Sequence, residues 1–90
     1  MITAAQMRAA RALLGIDQRQ LAELASVSLP TIQRMEASDG VVRGVVETLV
    51  KVVEALDRAG IELIGDNAVS GEGGRGVRLK RPANPSAGTN

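Results

Sequence analysis

Two short amphipathic segments separated by only three residues constrain the fold of this chain more than any other feature. The segments are DQRQLAELA (17–25) and LPTIQRME (29–36), and the connection reads SVS (26–28). In each segment the apolar residues have helical spacing and therefore share one face. They are Leu21, Ala22 and Ala25 in the first segment and Ile32 and Met35 in the second. The sequence therefore predicts two short helices joined by a tight turn.

Capping signals define where the helices begin. Thr3 with Gln6, and Asp17 with Gln20, have the spacing of capping boxes, in which side chain and backbone bond reciprocally. A helix before the pair therefore starts at Thr3, and it ends at Gly15, which we expect in the left-handed conformation.

Pro30 lies in the first turn of the second segment, where a missing backbone N–H costs little. Two N-caps are compatible with it. If Ser28 is the cap, its side chain must bond the Thr31 N–H, and Pro30 is the second helical residue. If Leu29 is the cap, Pro30 takes the first helical position, which proline favours. The helix remains intact in both cases, with a stiff, apolar entry.

The remainder of the chain predicts a fourth helix and a β-hairpin. The helix runs from about Val45 to Ala59, with two apolar stripes. The first stripe is Val45, Leu49, Val52 and Leu56, and the second, beside it, is Val46, Val50 and Val53. After Gly60 the period changes to two, so 61–64 and 76–81 read as strands packed on the fourth helix. We expect a mainly α fold: a four-helix domain (1–60), a hairpin extension (61–81) and a disordered tail (82–90).

Composition excludes several functions. The 90 residues suffice for one small domain and include no Cys, His or aromatic side chain. Disulfides, the usual zinc sites, a His base and aromatic stacking of single strands are therefore excluded. We expect no enzyme activity and no cofactor. No segment predicts a membrane span or a signal peptide, so we expect a cytoplasmic location. The net charge of +1 does not by itself indicate nucleic-acid binding.

The stretch RALLGIDQRQLAELASVSLPTIQRMEASDG (11–40) resembles the lambda-repressor-like helix-turn-helix family of the Cro and XRE type. The matching residues, in order, are Arg11, Gly15, Gln18, Leu21, Ala22, Val27, Ser28, Ile32, Met35 and Glu36. The resemblance covers roughly residues 3–59. Two positions depart from the family. Ser26 replaces the usual turn glycine, which costs on the order of 1 kcal/mol if φ is positive. Asp17 replaces Ser, Thr or Asn, and its charge would repel a nearby phosphate.

The resemblance implies a set of DNA-binding residues: Gln18, Ser28, Leu29, Pro30, Thr31, Gln33, Arg34 and Arg43. Gln18 and Arg43 would contact phosphates, and Thr31 a phosphate or a base. Arg34 would pair with guanine and Gln33 with a base edge or phosphate, while Leu29 and Pro30 would touch a thymine methyl. Arg11 and Glu36 resemble the family's internal ion pair. Taken alone, Gln33 and Arg34 would more often form a solvated helix face.

Three functional hypotheses follow. The leading one is a sequence-specific regulator that binds double-stranded DNA as a homodimer, using the second valine stripe or the hairpin edge as dimer surface. The alternative is a protein-interaction module such as an antitoxin, an anti-activator or an accessory factor that contacts RNA polymerase or a cognate regulator. The third is an enzyme, which is the least favoured because no paired carboxylates form a credible site and His and Cys are missing. From geometry alone, the alternative to a helix-turn-helix is an ordinary helical hairpin in a small bundle.

Two further patterns have simpler explanations. GEGGRG (71–76) matches a dinucleotide-binding fingerprint, but a predicted strand follows it, so we interpret it as a hairpin loop. The basic residues of 75–81 either contact phosphate or an acidic partner, or protect an exposed edge strand: Arg75, Arg78, Lys80 and Arg81.

Overall fold

Four helices followed by one β-hairpin make up the part of the chain that the computed structural model describes, residues 2–65 and 73–80. The helices are α1 (Ala4–Leu14), α2 (Gln18–Ala25), α3 (Leu29–Glu36) and α4 (Val46–Arg58). The strands are β1 (Ile61–Ile64) and β2 (Gly76–Leu79). The predicted mainly α fold is confirmed. The predicted tail, 82–90, and part of the GEGGRG loop lie outside the described residues.

Both predicted capping boxes are present. At the start of α1, the Gln6 N–H donates to Thr3 Oγ1 (3.0 Å) and the Thr3 N–H donates to Gln6 Oε1 (2.9 Å). At the start of α2, Asp17 and Gln20 form the same pair of bonds, at 2.7 and 2.9 Å. Each box satisfies N–H groups that a helix leaves without intrahelical partners.

The turn between α2 and α3 adopts the strained geometry expected of it. Ser26 has φ 58° and ψ 43°, the left-handed region that glycine occupies more readily. Of the two possible caps for α3, the structure uses Ser28, whose Oγ accepts the Thr31 N–H at 3.2 Å. Pro30 is therefore the second helical residue, and α3 is intact.

The core is aliphatic and draws on every helix. Its members have relative exposures of 8% or less: Ile2, Ala4, Met7, Ala10, Leu21, Ala22, Ala25, Ile32, Met35, Val42, Leu49, Val52, Ala55, Leu56 and Ile61. The inner faces predicted for α2 and α3 are confirmed in full, since all five of their apolar residues are buried. Burial of these faces fixes α3 against α2.

The fourth helix begins within one residue of its predicted start, but the assignment of Val45 to the first apolar stripe was wrong. The helix begins at Val46, and Val45 is an extended N-cap residue that is 68% exposed. Because Val45 precedes the first helical turn, it does not continue the stripe of Leu49 and Leu56. Ala55 is buried instead. In the second stripe Val46 is 66% exposed, whereas Val53 packs against the core.

The loop between α3 and α4 is tied to the N-terminus of the chain, which the sequence did not predict. The Val42 N–H donates to the carbonyl oxygen of Ile2 (2.8 Å), and the Ala4 N–H donates to that of Gly40 (3.1 Å). Val42 is buried between these bonds. The loop that carries Arg43 is therefore held in place on both sides of Val41.

The hairpin packs on two helices rather than on the fourth alone. The strands are antiparallel, with Glu62 opposite Arg78; β1 lies against α4 and β2 against α1. The buried side-chain amide of Gln6 donates to the carbonyl oxygens of Ile64 (3.1 Å) and Gly76 (2.9 Å). The sequence predicts only the capping role of Gln6, so this anchor is a finding of the structure.

Candidate nucleic-acid interface

Helix α3 has one buried and one exposed face, and the two faces contain different chemistry. Ile32, Met35 and Glu36 are buried. The predicted DNA-binding residues of α3 lie elsewhere on the helix: Pro30, Gln33 and Arg34 are exposed, and Leu29 and Thr31 are half-buried. An outward face with an amide, a guanidinium and an apolar entry can offer both hydrogen bonds and apolar contacts to a ligand.

The buried carboxylate of Glu36 joins three helices. Arg11 of α1 donates two hydrogen bonds to it, from Nε to Oε2 and from Nη2 to Oε1, and both are 2.7 Å long. Gln18 of α2 donates from Nε2 to Oε1 at 3.1 Å. The side chain of Glu36 is 3% exposed and that of Arg11 is 20% exposed. A two-pronged, charge-assisted contact of this kind fixes orientation as well as distance.

The environment of Arg11 keeps its guanidinium charged. Its pKa is raised, chiefly by the hydrogen bonds to Glu36 and further by the charges of Glu36 and Asp17, although partial burial opposes the shift. Because the pKa is raised on folding, the stabilisation that the guanidinium charge contributes is fully present below the ordinary arginine pKa and is lost only as the pH rises through the raised value.

Arg8 adds a further contact to the same end of α3. Its Nη1 donates to the backbone carbonyl oxygen of Glu36 at 2.7 Å. A cation at a helix C-terminus also interacts favourably with the helix dipole. Sequence reasoning missed Arg8, although its spacing of three residues from Arg11 places both side chains on one face of α1.

Gln18 is the first residue of α2 and is half-buried. Its side-chain nitrogen has two N–H donors, of which one is directed at Glu36. The neighbouring Asp17 uses its carboxylate to cap α2, since Oδ1 accepts the Gln20 N–H. Gln18 is thus held at the start of α2 by a residue of α3.

Three polar side chains between the N-cap and the last turn of α3 are connected. Ser28 Oγ and Thr31 Oγ1 share a hydrogen bond of 2.8 Å. Arg34 Nη2 donates to Thr31 Oγ1 at 3.4 Å, a long bond. These contacts direct Arg34 along the helix surface toward its N-terminal half.

Arg34 and Arg43 lie beside the same recess, although they come from a helix and a loop. The recess has a volume of about 330 Å³ and separates α3 from the start of α4. Arg43 is exposed and makes no hydrogen bond or ion pair with any residue that the structure describes. Two guanidinium groups are thereby available on one side of the molecule.

The basic segment of the hairpin is used in part within the fold. Arg78 pairs with Glu62 across the hairpin (2.8 Å), and Lys80 Nζ pairs with Asp57 Oδ1 of α4 (2.7 Å). Arg75 is exposed, and Arg81 lies outside the described residues. These two ion pairs are exposed and contribute little to stability, but they neutralise part of the local positive charge.

Within residues 2–65 and 73–80, no cluster of three or more His, Cys, Asp or Glu side chains has the arrangement of a metal site. Among the helices described, none has the length and apolar character needed to cross a membrane.

A tight turn between two short helices, with an exposed polar face on the second, is the arrangement found in helix-turn-helix proteins. The sequence model of the helix-turn-helix family matches residues 7–63, which include all four helices apart from the first turn of α1. The chain belongs to the lambda-repressor-like, Cro/C1-type helix-turn-helix family, whose members are DNA-binding regulators. No match was found among curated proteins.

Proposed function

We propose that this protein is a sequence-specific regulator that binds double-stranded DNA with α3 in the major groove. One observation carries the proposal: the exposed face of α3 presents Gln33 and Arg34, while its buried face is fixed by Glu36. Arg34 pairs with guanine O6 and N7, and Gln33 reaches a base edge or phosphate. Leu29 and Pro30 contact a thymine methyl and contribute shape.

The phosphate contacts come from the elements that flank α3. Gln18 donates its second amide N–H from the start of α2, and Arg43 approaches the backbone from the loop that Val42 anchors. Ser28 and Thr31 have hydroxyl groups at the entry of α3. Residues 1–60 form the DNA-binding domain in this proposal, and the protein acts in the cytoplasm, where bacterial and phage DNA is regulated.

A dimer accounts for the length of DNA that must be recognised. One helix reads only a few base pairs, so two copies related by a two-fold axis would bind a palindrome. Among the residues that the structure describes, Val46 of α4 (66% exposed) and Leu79 of β2 (49% exposed) are exposed apolar positions in the two surfaces that the sequence suggested. Light scattering should give twice the chain mass, and Val46→Lys or Leu79→Lys should return it to the monomer.

Selection from a random duplex library tests DNA recognition and requires no assumed operator sequence. We expect one enriched sequence, bound at least about a thousandfold more tightly than a scrambled duplex. Its affinity should fall steeply with salt, and Arg43→Ala should reduce the slope of log K against log salt by about one. Failure to enrich any sequence, with weak and equal binding to all duplexes, would refute the proposal.

A protein-interaction module on the same scaffold is the second candidate. It is favoured by the balance of seven basic and seven acidic residues in 1–60 and by the exposed Val45. Its partner would be RNA polymerase or a cognate regulator. The same selection distinguishes the two functions, because an interaction module predicts no preferred duplex and unchanged partner binding in Arg34→Ala.

A further inference from the structure

The recess between α3 and α4 combines positive charge with apolar walls. Arg34 and Arg43 line it beside the hydroxyl-bearing residues Thr31 and Thr48, and Val45, which is 68% exposed, contributes apolar surface. None of the described residues that line it is acidic. Its volume of about 330 Å³ falls at the lower end of the range for small-molecule sites.

The charges that line this recess are poorly compensated within the protein. Arg43 has no hydrogen-bond or ion-pair partner in the described part of the chain, and the guanidinium of Arg34 has only the 3.4 Å bond to Thr31 there. Val45 gives α4 no side-chain cap, so this cap position adds no competing acceptor. An anion between the two guanidinium groups would therefore gain charge-assisted hydrogen bonds without displacing an internal ion-pair partner.

The size and walls of the recess select the class of anion. A single phosphate or sulfate would fill only a small part of about 330 Å³ and would leave the exposed side chain of Val45 uncovered. A carboxylate attached to an apolar ring or chain would satisfy both parts of the site, since its charged end meets the arginines and its body covers the apolar walls.

We propose that this recess binds a small organic carboxylate with an apolar body, and that the bound anion competes with DNA for Arg34 and Arg43. The binding site is independent of the proposed function, whereas the competition rests on it. A small molecule would thereby act directly at the DNA-contacting side chains.

Titration of the isotope-labelled full chain with phthalate, in the absence of DNA, tests the site by nuclear magnetic resonance. Amide signals of residues 43–49 should shift saturably. Sulfate at the same ionic strength, which lacks the apolar body, and benzamide, which lacks the charge, should each shift them far less. Arg43→Ala should weaken phthalate binding about fivefold to tenfold. The matched control is Arg19→Ala, a variant at an arginine of α2 outside the recess, which should bind as the parent does.

The proposed binding site would be refuted by equal shifts with phthalate and sulfate. It would also be refuted if Arg43→Ala bound phthalate as tightly as the parent at an unchanged melting temperature.

Competition is tested separately with a selected duplex carrying a fluorescent label. Phthalate should release the duplex at concentrations that saturate the recess, and sulfate of equal ionic strength should release less. Retention of the duplex by phthalate-saturated protein would overturn the competition. If the protein binds no duplex, the proposed function is refuted. The titration without DNA still determines whether phthalate binds in the recess.

Discussion

Removing one member of the Arg11–Glu36 pair should destabilise the protein more than replacing both. Arg11→Ala leaves the Glu36 carboxylate, whose side chain is 3% exposed, with the neutral Gln18 amide as its remaining side-chain partner among the described residues. A buried charge without its counter-ion is poorly solvated, which is the source of the cost. The double variant Arg11→Met/Glu36→Leu removes both charges and fills the same space with apolar atoms.

The geometry sets the size of the effect. Breaking a fully buried ion pair costs about 3–5 kcal/mol. Because Arg11 is 20% exposed, water can partly reach the site, and we expect about 2–4 kcal/mol for Arg11→Ala. For a domain of this size that corresponds to roughly 10–25 °C in melting temperature. The double variant should lie within about 1 kcal/mol of the parent, since apolar replacements of buried pairs are often neutral.

Urea denaturation followed by far-ultraviolet circular dichroism measures these differences, because the chain has no aromatic residue to report by fluorescence. Arg78→Ala provides the matched control: it breaks an ion pair of similar length whose side chains are 62% and 46% exposed. We expect its cost to be under about 1 kcal/mol. The reasoning fails if Arg11→Ala costs no more than Arg78→Ala, or if the double variant is less stable than Arg11→Ala.

Three further outcomes are expected. Gln6→Ala removes the donor to Ile64 and Gly76 and should cost about 2–3 kcal/mol, with faster hydrogen exchange in the hairpin; unchanged exchange would contradict the anchor. Ser26→Gly should stabilise the protein by about 0.5–1 kcal/mol in the same urea assay, because φ is 58°, and no gain would argue against strain at this turn. Arg34→Ala should keep its melting temperature but lose about 1–3 kcal/mol of binding to a selected duplex, with selectivity relaxed at one base pair; uniform loss across all positions would assign Arg34 to phosphate instead.

The packing around Glu36 gives the proposed interface a physical basis. Arg8 and Arg11 hold the end of α3 against α1, and Gln18 connects it to the start of α2. Gln18 is predicted to bind a phosphate and Arg34 a base, so the carboxylate of Glu36 would fix the relative positions of these two contacts. Binding that requires both contacts at once is then tighter, because the protein loses less conformational freedom when the DNA binds.

Local sequence signals predicted the helices well where neighbours in the chain set the structure. Thr3 with Gln6 and Asp17 with Gln20 cap their helices as expected, because the partners are only three residues apart. The positive φ of Ser26 was expected from the resemblance, because Ser26 stands where the family has its turn glycine. The N-cap of α3 remained open between Ser28 and Leu29, since both choices tolerate Pro30; the Thr31 N–H decided it in favour of Ser28.

These local sequence signals did not predict contacts between residues far apart in the chain. The second role of Gln6 depends on two carbonyl oxygens that are 58 and 70 residues away along the chain. The exposure of Val45 also required the structure, because an apolar stripe does not show where the first helical turn begins. The DNA-binding residues remain predictions, for which the structure supplies exposure and neighbours.

The sequence by itself determined the four helices, the caps of α1 and α2, the tight turn and the family, because these depend on residue type and on spacings of a few positions. Only the tertiary structure brought Arg43 beside Arg34 around one recess and attached the hairpin to α1 as well as to α4. Such neighbours are set by how helices pack, and packing is decided by the whole core at once rather than by any short stretch.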